Sequence, residues 1–234
     1  MVRRKAGGFL LKDVMKEKEL NFRTSRALMV DCQVRPNNIV DDRIIIAMRT
    51  LARERFVPPS LAAQAYSDAD LPLADGRMMP RPLTIGRLAQ SAAVQPGERV
   101  LVIGANTGYG AAVLSSCGGV VVALESSPSL RMIASSALAA ETPDVRLIGG
   151  ALIQGAPQHT RFDLIVIEGA IEYLPPALAG QLNETGRLIT VIRERGVGRL
   201  IRAEPSGAGF AHRVLADCNA PLLAEFAAAP AFAF

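Results

Sequence analysis

The chain has 234 residues, 50% of them hydrophobic and 21% charged. That supports one good core with at most a small appendage, and it excludes a disordered chain. The formal charge of +4 reflects 26 Lys and Arg against 22 Asp and Glu, but positions 1 to 28 alone hold eight basic and three acidic residues. The remaining 18 basic and 19 acidic residues leave 29–234 neutral, so net charge gives no expectation of a nucleic-acid partner.

Cys32, Cys117 and Cys218 are odd in number and widely spaced. A disulfide framework or a zinc site is not expected, and the cytoplasm is the expected compartment. His159 and His212 lack ligand-like neighbours. Positions 100 to 124 carry no charge, yet five glycines with Asn106, Thr107, Ser115 and Ser116 interrupt the run. Strand, loop, helix and strand are expected there, and no membrane association.

In chain order, residues 1 to 28 form a basic leader with helical spacing around Leu11 to Leu20, read as a frayed extension, with a docking arm as the other reading. Ile44, Ile45, Met48 and Leu51 predict a helix capped by Asp41 or Asp42 and ended by Pro58-Pro59. Residues 60 to 82 read as loop, punctuated by Pro72, Gly76, Pro80 and Pro82. A helix is expected over Leu83 to Ala93, with Pro96-Gly97 turning into the next strand.

Alternation follows. Strands are expected at 99–103, 120–124, 145–149 and 162–167, and helices at 109–116, 128–140 and 176–183. A further strand is expected from Arg187 to Arg193, and paired strands from Val197 to Leu223 around Pro205 to Gly209. The Ala-rich end, Ala227 to Phe234, is a candidate edge segment. The fold class is α/β: a doubly wound, mostly parallel sheet with an antiparallel C-terminal hairpin and N-terminal helices. The expected organisation is an extension, 1–28, and one domain, 29–234. That domain divides into an N-terminal covering part (29–97), a central core (98–194) and C-terminal strands (195–234).

The most informative stretch is Arg99-Val-Leu-Val-Ile-Gly-Ala-Asn-Thr-Gly-Tyr-Gly110. A buried strand that enters a helix through such a loop sets backbone N–H groups and a helix N-terminus beside a ligand. Glu125 ends the next apolar run about 20 residues on, where an acid takes ribose hydroxyls. Loop, spacing and acid together read as a nucleoside-cofactor site.

Several segments then occur in one order. They are Met29-Val-Asp-Cys-Gln-Val, Asp42-Arg43-Ile44, Ala47-Met48 and Arg53-Glu54-Arg55-Phe56-Val57-Pro58. Ala65-Tyr66-Ser67-Asp68, Leu71-Pro72-Leu73, the glycine loop, Phe162 to Ala170, Gln181-Leu182 and Gly186-Arg187-Leu188 continue it. From about 29 to 200 the chain resembles the protein-L-isoaspartate O-methyltransferases, whose fold is the Rossmann-like sheet of class I S-adenosylmethionine-dependent methyltransferases.

The resemblance implies S-adenosylmethionine as cofactor and isoaspartyl-containing proteins or peptides as partners. In the family the isoaspartyl carboxylate is methylated, and the ester cyclises to a succinimide that can reopen as aspartate. The cofactor contacts implied are Met78, Gly104, Ala105, Asn106, Thr107, Gly108, Tyr109, Glu125, Ser126, Gly150, Ala151 and Glu168.

The chain departs from the family pattern at several of these places. The family's substrate hydroxyl falls on Pro80, which has neither hydroxyl nor N–H. Arg77 and Arg81 are candidates to hold the carboxylate instead, since guanidinium pairs well with it; as solvated surface residues they would play no part. Val102 replaces an acid, Asn106 a glycine, Gly150 an adenine-reading Asp, and Glu168 a Thr-like residue. A carboxylate at 168 either meets the sulfonium or repels an incoming carboxylate. Two other readings stay open: a non-catalytic relative serving as a binding module, and a methyltransferase for another acceptor.

Overall fold

The computed structural model describes residues 6–159 and 161–228, with side chains from residue 18 onward. Helix α1 runs unbroken over Ala6–Met29 and passes through a π turn at Val30–Val34. The expected end of the leader at 28 therefore falls inside a helix. Nor is that end frayed. Arg26 is buried, with Nε donating to the Tyr66 hydroxyl at 3.0 Å and Nη1 to the Thr50 carbonyl at 2.8 Å.

Helix α2, Asp42–Thr50, starts where Asp41 accepts the Arg43 N–H. It stops at Leu51, seven residues before the expected proline break, because the chain then turns to carry Arg53 into the interior. There Arg53 donates to the carbonyls of Ala65 and Pro80, at 2.7 Å each. The stretch read as loop holds 3₁₀ turns at Pro59–Gln64 and Ala74–Gly76. It also holds a two-residue ribbon, β1 (Leu71–Pro72) against β2 (Met78–Met79). Helix α3 covers Pro82–Ala92.

The central elements follow as β3 (Arg99–Ile103), α4 (Tyr109–Ser116), β4 (Val120–Glu125), α5 (Pro128–Glu141), β5 (Arg146–Gly149) and β6 (Phe162–Ile171). The helix expected at 176–183 is a 3₁₀ turn, Pro176–Gln181; the Pro175-Pro176 pair opens it, and Leu182 already belongs to the next strand. Strands β7 (Leu182–Glu194), β8 (Val197–Ser206) and β9 (Gly209–Asp217) complete a seven-stranded sheet of order β5-β4-β3-β6-β7-β8-β9. The pairs from β5 to β7 are parallel, and the last two are antiparallel. Positions 229–234 of the Ala-rich end lie outside the described residues, and Ala227 and Ala228 are in no strand.

Strand alternation splits the core. Val100, Val102, Leu164, Val166 and Ile189 face the layer that includes α2, α3 and α4. Leu101, Ile103, Ile165, Ile167 and Leu188 face the opposite layer. Burial on both faces is why these strands read as continuous apolar runs. Among the described residues no helix is long and apolar enough to cross a membrane.

Candidate active site

The strand order reverses between β3 and β6, so a crevice opens at the carboxyl ends of the central strands. The glycine loop enters it with Gly104, Asn106 and Gly108 all at positive φ. Asn tolerates that conformation better than most side chains, so the turn survives the exchange for glycine. Part of the loop's donor capacity is turned inward. Gly104 and Ala105 N–H both donate to the Leu124 carbonyl, at 3.0 and 3.1 Å.

Glu125 ends β4 below this loop and is completely buried. It accepts from Arg77 Nη1 at 2.9 Å, Arg77 Nη2 at 3.1 Å, the Asn106 N–H at 2.8 Å and the Ser127 N–H at 2.9 Å. A carboxylate offers about four acceptor sites, so this one is saturated. Arg77 is buried and is not a solvated surface residue. Arg81 is half exposed and pairs with Asp70 at 3.5 Å.

Beyond Glu125, an open pocket of about 360 Å³ lies along Leu124, Gly149, Gly150 and Ala151. Its size is ordinary for a small-ligand site. The adenine position expected at Gly150 and Ala151 is in this pocket, and neither residue brings a side-chain hydrogen-bonding group to it.

The floor of the crevice is polar and closed. Between Val166 and Ala170 the register of β6 against β7 shifts, and this bulge places Glu168 in the interior. Bulges commonly re-aim a side chain in this way. Neither Glu168 oxygen has a hydrogen-bond partner. Burial pushes its carboxyl up to about 8, against the opposing pull of the Arg53 charge. Arg53 is fully buried and stacks on Tyr109 with its guanidinium carbon 4.5 Å from the ring centre. Burial also lowers its pKa. Arg53 Nη1, the Tyr109 hydroxyl, the Asn106 amide and the Thr107 hydroxyl are likewise buried without partners. Orphaned groups at this density are unusual in a native interior and mark a place made for more than packing.

The expected residues are therefore gathered round one crevice. Gly104 to Tyr109, Glu125 and Glu168 form its centre, and Gly150 and Ala151 its open end. Met78 lies in β2 beside Arg77, and Ser126 Oγ donates to Glu225 at 2.8 Å. Sequence reasoning missed Leu223, whose side chain lies over the loop. A Cβ added to Gly104 would sit 3.0 Å from Leu223 Cδ1 and 3.2 Å from Arg77 Nη2. Nor does the Arg53 to Pro58 segment, read alone, mark Arg53 as a buried cation.

S-adenosylmethionine fits this crevice at one end only. The nucleobase end is open, whereas the acid that would take the ribose is saturated and the space over Gly104 is filled. In this conformation Arg77 and Leu223 close the ribose end.

The model of the protein-L-isoaspartate(D-aspartate) O-methyltransferase family matches residues 24–218. A protein-L-isoaspartate O-methyltransferase of Methylorubrum populi is 37% identical over 183 residues, 78% of this chain and 86% of that protein. One from Koribacter versatilis is 31% identical over 212 residues, 90% and 96% of the two chains. Among solved structures, a Plasmodium falciparum protein described as a protein-L-isoaspartate O-methyltransferase, in complex with S-adenosyl-L-homocysteine, aligns with a TM-score of 0.69. That alignment covers 86% of this chain and 98% of that one at 19% identity, and it speaks for the fold alone. With the sheet, the glycine loop and the strand-end acid in the family's order, and relatives matched over most of their length, the chain belongs to the protein-L-isoaspartate(D-aspartate) O-methyltransferase family.

Proposed function

We propose that this chain transfers a methyl group from S-adenosylmethionine to the carboxylate of L-isoaspartyl residues in damaged proteins. The observation that carries the reading is the placement of Glu125 beneath the glycine loop, where it accepts the Asn106 N–H, with an open pocket along the adjoining Leu124, Gly149 and Gly150. Membership in the family supports the acceptor. Three unpaired cysteines, two of them buried, support a reducing cytoplasm. No nucleic-acid or membrane partner belongs to this reading.

The residues present suit a reaction that works by positioning. The acceptor is already a carboxylate, so no general base is required, and orientation can supply most of the acceleration. Burial pushes the Glu168 carboxyl up to about 8, which favours its neutral form near pH 7. In its neutral form it would not repel an incoming carboxylate. Arg53 ties the Pro80 carbonyl to the interior and fixes the segment that stands where the family has a hydroxyl. S-adenosylmethionine, when bound, supplies the electrophilic methyl group.

The test is methylation of a synthetic isoaspartyl peptide against its aspartyl twin, read as labelled methyl ester. Ester on the isoaspartyl peptide alone is the expected result. Equal labelling of both, or labelling of neither across pH 6 to 8, contradicts the proposal.

A further inference from the structure

Three segments that are distant in sequence meet over the ribose end of the crevice. The first is the 74–79 loop, where Asp75 and Gly76 both take positive φ and Asp75 accepts a hydrogen bond from the Ser127 hydroxyl. The second is the corner after β4, Glu125 to Ser127. The third is the segment Pro221–Phe226, beyond the last strand. Arg77 is their common partner: it grips Glu125 with both terminal nitrogens and lies 3.8 Å from Glu225.

The terminal segment is fixed as backbone to the end of β6. The Ala170 N–H donates to the Pro221 carbonyl at 2.7 Å, the Leu223 N–H to the Ala170 carbonyl at 2.9 Å, and the Glu172 N–H to the Phe226 carbonyl at 3.0 Å. This holds the Leu223 side chain, 3% exposed, between Gly104 and Gly169; a Cβ at Gly169 would lie 2.7 Å from its Cγ.

The geometry points to a self-occluded site: Arg77 and Leu223 stand in the ribose and methionine part of the methyl-donor crevice, and the donor enters only by displacing both. This rests on the proposed methyltransferase reading. The guanidinium satisfies the acid that a ribose would otherwise engage, and the leucine covers glycines whose missing side chains leave room for a ligand. The open pocket at Gly149 to Ala151 lies outside the plug, so a nucleobase has a first foothold before the plug moves. Arg77 thereby acts on donor affinity and not on the acceptor carboxylate.

The test has two parts. Calorimetric titration with S-adenosylhomocysteine compares the full chain with Arg77→Gln and Leu223→Ala. Hydrogen exchange then follows the Ala170 and Leu223 amides in the unaltered chain with and without the same ligand. Each substitution is expected to tighten binding about tenfold or more, a change of at least ~1.4 kcal/mol. Saturating ligand is expected to speed exchange at both amides. Equal affinity in all three proteins, with both amides still protected when ligand is bound, overturns the plug and leaves the methyltransferase reading intact. Folded proteins that all fail to bind overturn both.

Discussion

Glu168→Gln tests the buried carboxyl at the floor of the crevice. The wild-type group has an ordinary value of 4.5, raised in the folded protein to about 8 by burial. An acid whose folded pKa is raised binds its proton more tightly when folded. Its share of stability is whole below pH 4.5 and is lost as pH climbs through about 8. Each pH unit between those limits is worth about 1.4 kcal/mol, so the loss by pH 9 is several kcal/mol. That is a large part of a typical domain's 5–15 kcal/mol or so. Glutamine has nearly the same shape and cannot ionise. Urea denaturation of both proteins from pH 5 to pH 9 is the assay. The two should have similar stability at pH 5, with the variant ahead by several kcal/mol at pH 9. Parallel profiles would refute the argument, because they would mean that Glu168 ionises in the fold as easily as in water.

Three further predictions concern neighbouring parts of the structure. Gly110→Ala puts a Cβ onto the Glu168 carboxylate, so overpacking should cost about 1–3 kcal/mol; calorimetry should show a Tm lowered by several degrees, and an unchanged Tm counts against this packing. Arg187→Met removes donors to the Ala92 carbonyl at 2.6 and 2.8 Å and the ion pair with Glu98 at 2.8 Å; at pH 7 it should cost about 2–4 kcal/mol in urea denaturation. Arg187 holds the Glu98 carboxyl below its ordinary value of 4.5, so the gap between wild type and variant should narrow as pH falls below 4.5, leaving the share due to the Ala92 carbonyl, and a gap that stays constant into acid contradicts that role. Pro80→Ser restores a hydroxyl while keeping the carbonyl that Arg53 uses; isoaspartyl peptide methylation should rise, and no gain would place the limitation at the donor end of the crevice.

The sequence disclosed most of the frame because the frame follows local rules. Strand β3 and helix α4 lie at the expected residues, and the loop between them was readable from glycine spacing alone. Glu125 was readable because strand and loop lengths fix where β4 ends. What was not legible depends on contacts between distant residues. Arg77 looks like any charged loop residue until the 74–79 loop folds back 48 positions short of its partner Glu125. Leu223 is one apolar residue among many, and nothing local tells that its segment crosses the crevice. The helix expected at 176–183 became a 3₁₀ turn because β7 extends back to Leu182 to pair with Phe162. Tertiary pairing there overrides local preference.

The decisive measurement follows the fate of an isoaspartyl peptide held with this protein and S-adenosylmethionine, by chromatography that separates isoaspartyl, succinimidyl and aspartyl forms. The isoaspartyl form should decline while succinimide and then the aspartyl form appear, with the aspartyl twin untouched and the decline faster with Arg77→Gln. An isoaspartyl peptide that persists unchanged beside folded, S-adenosylhomocysteine-binding protein would contradict the proposed methyl transfer.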